Sequence, residues 1–278
     1  MAKDSKIEWT HHTFNPWWGC AKVSPACKHC YAETWAKRVG SQVWGRDSER
    51  RFFSDNHWND PLRWNGEAET AGERRRVFCA SMADVFERRA ELNPWRERLW
   101  EVIKSTPMLD WLLLTKRPQN ILSMSPWGEN WPDNVWLGTT VETQTWAEKR
   151  LPILLSIPAR VRFLSCEPLL GPLDLSKFTG NAELAGINWV IAGGESGPHS
   201  RPMNPEWVRD LRNQCLDSEI AFHFKQWGHW APEELLSENQ KKVITLGGSR
   251  MAAVGKGKAG RWLDGQTWDE LPNLRKNG

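Results

Sequence analysis

Asp110-Trp111-Leu112-Leu113-Leu114-Thr115, followed at once by Lys116 and Arg117, reads as a buried strand that ends in charge. The run is short, continuous and apolar, the pattern of a strand covered on both faces. Similar runs flank it. Val77–Met82 lies before it, and Asn134–Thr140, Val161–Cys166, Trp189–Ala192 and Ala221–Phe224 lie after it. They recur at roughly 25 to 35 residues, the length of one strand–helix unit. Helical patterns fill the gaps. Pro94–Ser105 follows Asn93 as N-cap with Pro at the first helical position, and Asn204-Pro205 opens a helix to Asp217 in the same way. Thr143–Leu155, which contains Pro152, and Cys30–Val39 are two more.

With a first strand expected near Ile7–Phe14, this alternation predicts an α/β fold with a parallel sheet. A partial or full (β/α) barrel fits best, ahead of a doubly wound open sheet. Residues 1–230 are expected to form the barrel, with 40–76 as an irregular insertion after the first helix. Residues 231–278 are expected to be an irregular C-terminal extension packing on it. Within that extension Leu246–Gly260, rich in Gly and Lys, reads as a mobile loop, and Arg261–Pro272 as packing back through Trp262, Leu263 and Trp268.

Ahead of these units the loop at 15–31 contains Cys20, Cys27 and Cys30, spaced Cys-x6-Cys-x2-Cys. Cys79 and Cys166 lie in apolar runs and Cys215 in a helix, so those three read as buried, inert thiols. Nothing at the N-terminus resembles a secretion signal, and a close cysteine cluster then favours metal over disulfides. Three thiolates can hold three irons of a [4Fe–4S] cluster and leave the fourth open to a ligand. The alternative is a zinc site completed by His29, His11 or His12. It is weaker, because no second Cys/His pair follows and His29 lies between two of its supposed partners.

A cysteine loop of this kind, followed by strand–helix units, resembles the radical S-adenosylmethionine (radical SAM) superfamily. The usual spacing there is Cys-x3-Cys-x2-Cys with an aromatic before the last cysteine. Here the first gap is six residues, and His29 takes the aromatic position. Asn15-Pro-Trp-Trp-Gly-Cys20, Cys27-x-x-Cys30-Tyr-Ala32, Leu114-Thr-Lys-Arg-Pro118 and Gly193-Gly-Glu-Ser-Gly197 are similar to a phage and bacterial three-cysteine, radical-SAM-like protein family. The similarity runs from Trp9 to Pro272. It implies a TIM-type barrel whose [4Fe–4S] cluster sits on Cys20, Cys27 and Cys30, with S-adenosyl-L-methionine on the open iron. It also implies a flavodoxin- or ferredoxin-like electron donor and a 5′-deoxyadenosyl radical that abstracts hydrogen from a substrate.

Functional residues of such barrels sit at the C-terminal ends of the strands. Those ends hold Ser81 and Asp84; Lys116 and Arg117; Thr140 and Glu142; Ser165 and Glu167; Gly193, Gly194 and Glu195; and Lys225 and Gln226. Lys116 or Arg117 suits the carboxylate of S-adenosylmethionine, Glu142 or Glu167 its ribose hydroxyls, and the two glycines a close backbone approach. His29, Ser81, Asp84, Thr140, Ser165 and Glu195 complete the cofactor-binding candidates. No Gly-Lys-Ser/Thr follows Gly193-Gly194, so a phosphate loop is discounted.

The chain of 278 residues carries 37 basic and 34 acidic residues, a net charge of +3. From Lys241 to Gly278 there are eight basic and three acidic residues, so this end holds +5 and the remainder −2. That asymmetry points to a polyanion. A nucleic acid or nucleotide is the expected substrate, in modification or repair, with Lys225, Gln226, Lys256 and Lys258 as contacts. The 20 Trp read first as packing and second as a base-stacking surface. No apolar stretch is long enough for a membrane span, and a cytoplasmic monomer is expected. Two competing readings are a non-catalytic nucleic-acid-binding protein with a structural zinc, and a metal-dependent hydrolase using Asp84, Glu142, Glu167, His199 and His223.

Overall fold

Strand–helix alternation of this regularity fixes connectivity, since parallel neighbours need a crossover between them. The structure is a computed structural model that describes residues 3–178, 186–197, 199–237 and 242–273. In chain order its strands and helices are β1 (His12–Thr13), α1 (Tyr31–Arg38), α2 (Asp55–Trp58), α3 (Asp60–Ala71), β2 (Arg75–Cys79), α4 (Asn93–Lys104), β3 (Leu109–Thr115), α5 (Ile121–Met124), β4 (Val135–Thr140), α6 (Gln144–Leu155) and β5 (Val161–Cys166). Then come β6 (Trp189–Gly193), α7 (Pro205–Asp217), β7 (Ala221–Gln226), β8 (Trp230–Pro232), β9 (Val243–Leu246), β10 (Ser249–Ala253) and α8 (Lys256–Ala259).

Seven strands form one sheet in sequence order, β1 to β7. The fold is α/β, and this order is the connectivity of a partial (β/α) barrel. The chain divides into two compact units. One comprises Met1–Ser24, Ala32–Thr139 and Ile153–Arg162, and the other Pro25–Tyr31, Thr140–Pro152 and Phe163–Gly278.

In the first unit β1, β2, β3 and β4 pair in parallel, with His12 opposite Val77, Val77 opposite Trp111 and Trp111 opposite Val135. β3 and β4 are buried nearly throughout, as continuous apolar runs require. α4 buries Arg96, Leu99, Trp100 and Ile103, an i, i+3, i+4, i+7 stripe. Arg96 can lie on that stripe because its guanidinium donates to the carbonyls of Val85 (2.7 Å) and Glu87 (2.8 Å).

In the second unit β5, β6 and β7 pair in parallel, with Phe163 opposite Trp189 and Trp189 opposite Ala221. α7 begins on Asn204, whose side chain accepts the Glu206 N–H at 3.0 Å, and buries Val208, Leu211 and Cys215. β10 lies between β8 and β9 in a small antiparallel sheet. At least five Trp, at 17, 58, 111, 189 and 227, are fully buried, so packing accounts for much of the Trp content.

Four local expectations need correction. The first strand is only His12–Thr13. The stretch 40–76 is not irregular throughout, since α2 and α3 occupy much of it and α3 buries Trp64 and Ala68. Leu246–Gly260 is not a loop. Gly247 and Gly248, at φ 54° and 86°, make the two-residue turn between β9 and β10, and both-positive φ is the hairpin turn that glycine favours. Trp262 is 57% exposed, while Leu263 beside it is buried. Lys241, Arg275 and Lys276 of the basic tail lie outside the described residues. Among the described residues no helix is long and apolar enough to cross a membrane.

Candidate functional site

In the first unit the segment before Cys20 is laid down by backbone pairing. Trp18, Gly19 and Cys20 bridge Arg51, Ala83 and Trp44. Gly19 sits at φ +116°, and a Cβ there would meet the Val43 carbonyl oxygen at 2.3 Å, so only glycine fits ahead of the cysteine. Asn15 ties the same segment to the end of β2: its Oδ1 accepts the Met82 N–H at 2.7 Å and its amide meets Ser81 Oγ at 3.1 Å. Thus Ser81 is engaged with the cysteine segment itself.

Asp84 and Arg117 form a buried ion pair at 2.8 Å. Asp84 also accepts the Thr115 hydroxyl (2.7 Å) and the backbone N–H groups of Lys116 (3.0 Å) and Phe86 (3.1 Å). Its carboxylate is therefore well supplied with donors. Arg117 reaches on to the Cys20 sulfur at 3.5 Å and the Ala21 carbonyl at 2.7 Å. Burial pushes the Cys20 thiol up to about 12, and the neighbouring guanidinium pulls against that shift. The Lys116 side chain is half-buried.

In the second unit the turn Pro25–Cys27 is held by two strand-end carboxylates. Glu142, two residues beyond β4 and fully buried, binds Arg150 at 2.9 Å and accepts the Ala26 N–H at 3.3 Å. Arg150 also donates to the Thr140 carbonyl at 2.8 Å. Glu195, two residues beyond β6, clasps the Arg201 guanidinium and accepts the Arg201 N–H at 2.8 Å, and Arg201 donates to the Pro25 carbonyl at 3.0 Å. Glu167 accepts from Lys225 Nζ at 2.7 Å and from the Gln226 amide at 2.9 Å. Gly194 packs against the Trp227 carbonyl so closely that a Cβ would lie 1.9 Å from its oxygen, and Gly193 lies over Glu167 and Gln226. Ser165 is buried, and its carbonyl accepts the Val141 N–H at 3.0 Å.

At the C-terminal strand ends of this unit two buried polar atoms, Thr140 Oγ1 and Gln226 Oε1, have no hydrogen-bond partner among the described residues. A buried orphan acceptor or hydroxyl costs about 1–3 kcal/mol, which a polar ligand would recover. Lys256 and Lys258 are exposed on the single turn α8. The His29 ring lies 6.3 Å from that of His199. His223 is buried in β7, with Asp269 at 3.7 Å.

Arg150 and Arg201 carry no signal in the sequence, although both lie within eight residues of the carboxylate they hold. Asn15 is legible there only as part of a motif. His11 and His12, the zinc alternatives, are engaged in the first unit: His11 Nδ1 accepts the Arg76 N–H at 2.8 Å, and His12 stacks on Trp64 at 4.5 Å. Among the described residues no three His, Cys, Asp or Glu side chains are arranged to hold a metal ion. None of the six cysteines is in a disulfide, and Cys20, Cys27 and Cys30 are partly exposed where Cys79, Cys166 and Cys215 are buried.

The sequentially wound parallel sheet and the polar residues at its strand ends define an α/β protein of the (β/α) class. Within that class the chain belongs to the DUF5131 family, described as a protein of unknown function, whose model matches residues 4–272. No curated protein matches it. Among solved structures it is similar to a doubly substituted mutant of spore photoproduct lyase with bound AdoMet and dinucleoside spore photoproduct. The identity is 11%, the match covers 88% of this chain and 68% of the other, and the TM-score is 0.46. It is also similar to spore photoproduct lyase complexed with dinucleoside spore photoproduct, at 12% identity, 90% and 70% coverage and TM-score 0.46.

Proposed function

We propose that this chain is a radical SAM enzyme, with Cys20, Cys27 and Cys30 holding a [4Fe–4S] cluster. The observation that carries the reading is the partition of the cysteines. Three cysteines that are not fully buried fall within eleven residues, and the other three are buried singly in strands and a helix. Soft thiolates suit iron–sulfur ligation, and thiols on a loop outside any disulfide fit that donor set. When bound, the cluster supplies the electron that cleaves the sulfonium of S-adenosylmethionine.

The protein's own part is positional. Arg117 sets a fixed positive charge against the Cys20 sulfur, which favours its ligating, thiolate form. Glu142 and Glu195 hold the turn that carries Cys27. The unpartnered Thr140 hydroxyl and Gln226 carbonyl are suited to polar groups of S-adenosylmethionine, the hydroxyl as donor or acceptor and the carbonyl as acceptor. The expected substrate is a nucleic acid or nucleotide, and the expected electron donor is flavodoxin- or ferredoxin-like.

Anaerobic purification with iron and sulfide analysis tests this. About four irons per chain and a brown protein are expected. Cys20→Ala, Cys27→Ala and Cys30→Ala should each lose the cluster, and Cys79→Ala and Cys215→Ala should keep it. Stoichiometric zinc without iron overturns the reading. Adding S-adenosylmethionine should shift the spectrum of the reduced cluster.

A further inference from the structure

We propose that a cavity in the first unit binds a phosphate-bearing nucleotide, with Arg46 and Arg88 on the phosphate and Trp44 against the base. The cavity is about 610 Å³ and lies beside the Cys20 segment, with Ala21, Lys22 and Arg117 in its wall. That volume is in the range of small-molecule sites.

Charge selects the ligand. Both carboxylates in the lining are taken. Glu33 is bound by Lys22 and Lys37 at 2.8 Å each, and Glu87 by the buried Arg50 at 2.8 Å. Three of the lining cations are also neutralised: Lys22 by Glu33, Arg89 by Glu91 at 2.7 Å, and Arg117 by Asp84. Arg46 and Arg88 remain. Both are exposed, and among the described residues neither has a carboxylate within ion-pair distance; Arg88 donates to Asn120 Oδ1 at 3.2 Å. Two guanidinium groups in excess, facing one cavity, match a phosphate, whose oxygens take the planar fork in pairs.

The wall is built in advance. Arg50, with no exposed side-chain surface, donates to the carbonyls of Val43 (3.1 Å), Gly45 (3.0 Å) and Ser48 (2.7 Å) and grips Glu87 with two more bonds. The loop that presents Trp44 and Arg46 is therefore fixed from beneath. Trp44 is half-buried, its backbone is bridged to Cys20, and it is the aromatic residue of the cavity lining, suited to meet a base. A concave site of this size favours a nucleotide over the convex acidic face of a protein. None of these contacts involves iron, so the site does not depend on the cluster.

Titration calorimetry on the full chain, with and without iron, tests it with three probes: ADP, inorganic pyrophosphate and a 5′-phosphorylated oligonucleotide of eight thymidines. ADP or the oligonucleotide should bind with or without iron. Tighter ADP binding assigns a free nucleotide, and tighter oligonucleotide binding a nucleic-acid end. Arg46→Gln with Arg88→Gln should weaken binding at least about tenfold, as loss of charge-assisted bonds implies. Arg38→Gln on α1 should leave it unchanged. Trp44→Ala should weaken ADP and leave pyrophosphate alone. If the double variant misfolds by circular dichroism, Arg46→Gln alone, at an exposed side chain, carries the test. Failure of both ADP and the oligonucleotide to bind, undiminished binding by the arginine variant, or pyrophosphate binding as tightly as ADP overturns the proposal.

Discussion

The Arg117 guanidinium donates to the Cys20 sulfur at 3.5 Å while Asp84 holds the same guanidinium at 2.8 Å. A cysteine on a loop thus acquires a charged neighbour whose own position is set by a buried carboxylate. Asp84 fixes the guanidinium beside the Cys20 sulfur.

Asp84→Ala should leave Arg117 with only the longer contact to Glu87 at 3.8 Å and cost up to about 3–5 kcal/mol, the usual penalty for breaking a buried pair. Asp84→Leu combined with Arg117→Met should be less damaging than either change alone, because Glu87 keeps Arg50 and no unpaired charge is then left buried. Urea denaturation of the wild type, Asp84→Leu, Arg117→Met and the double variant measures the coupling. A double-variant loss equal to the sum of the two single losses would mean that the pair contributes nothing as a pair.

Glu142 has two separable jobs, since it neutralises Arg150 and accepts the Ala26 N–H. Glu142→Ala should lower stability by about 3–5 kcal/mol and speed hydrogen exchange at Ala26. Glu142→Gln keeps an acceptor oxygen and should protect that amide better. If Glu142 instead serves the ribose of the cofactor alone, cofactor binding will fall while stability and exchange stay put.

Gly194→Ala places a methyl group 1.9 Å from the Trp227 carbonyl oxygen, a backbone atom that cannot rotate away. Overpacking of this kind costs about 1–3 kcal/mol or more. A lowered urea midpoint with an unchanged slope is the expected result. Gly66→Ala on α3, where φ is not left-handed and a Cβ would meet nothing within 4 Å, separates this clash from the mere loss of a glycine.

His11 is held neutral. Burial first, then the charges of Arg76, Arg75 and His12, bring it down to about 4 from the ordinary 6.5. The unfolded chain therefore binds a proton that the folded chain refuses between these values. Its contribution to stability is full above about pH 6.5 and is lost as the pH falls through about 4. His11→Asn, which keeps an acceptor for the Arg76 N–H, should flatten the decline in stability measured over that interval. An unchanged pH profile would assign the decline to other groups.

The sheet is legible in the sequence because strand signals are local. Val161–Cys166 reads as a strand with the same bounds it has in the structure, and Trp189, Ala221 and Thr140 each fall at the correct strand end. α7 is equally plain, since Asn204-Pro205 carries its own start signal. Where expectation and structure part, the local signal is short or ambiguous. Two residues of β1 carry too little pattern to bound a strand, and Gly247-Gly248 signals a hairpin turn as readily as a loose loop.

By itself the sequence determined the order of strands and helices, the identity of the three loop cysteines and the polar character of the strand ends. These follow from periodicity, caps and spacing along the chain. Tertiary structure decided what those polar residues touch. Asp84 and Arg117 are 33 positions apart, Arg50 and Glu87 are 37 apart, and Ala26 and Glu142 are 116 apart. A carboxylate at a strand end reads the same whether it awaits a ligand or is already bound to an arginine. Only the fold sets the few ångströms that separate the two.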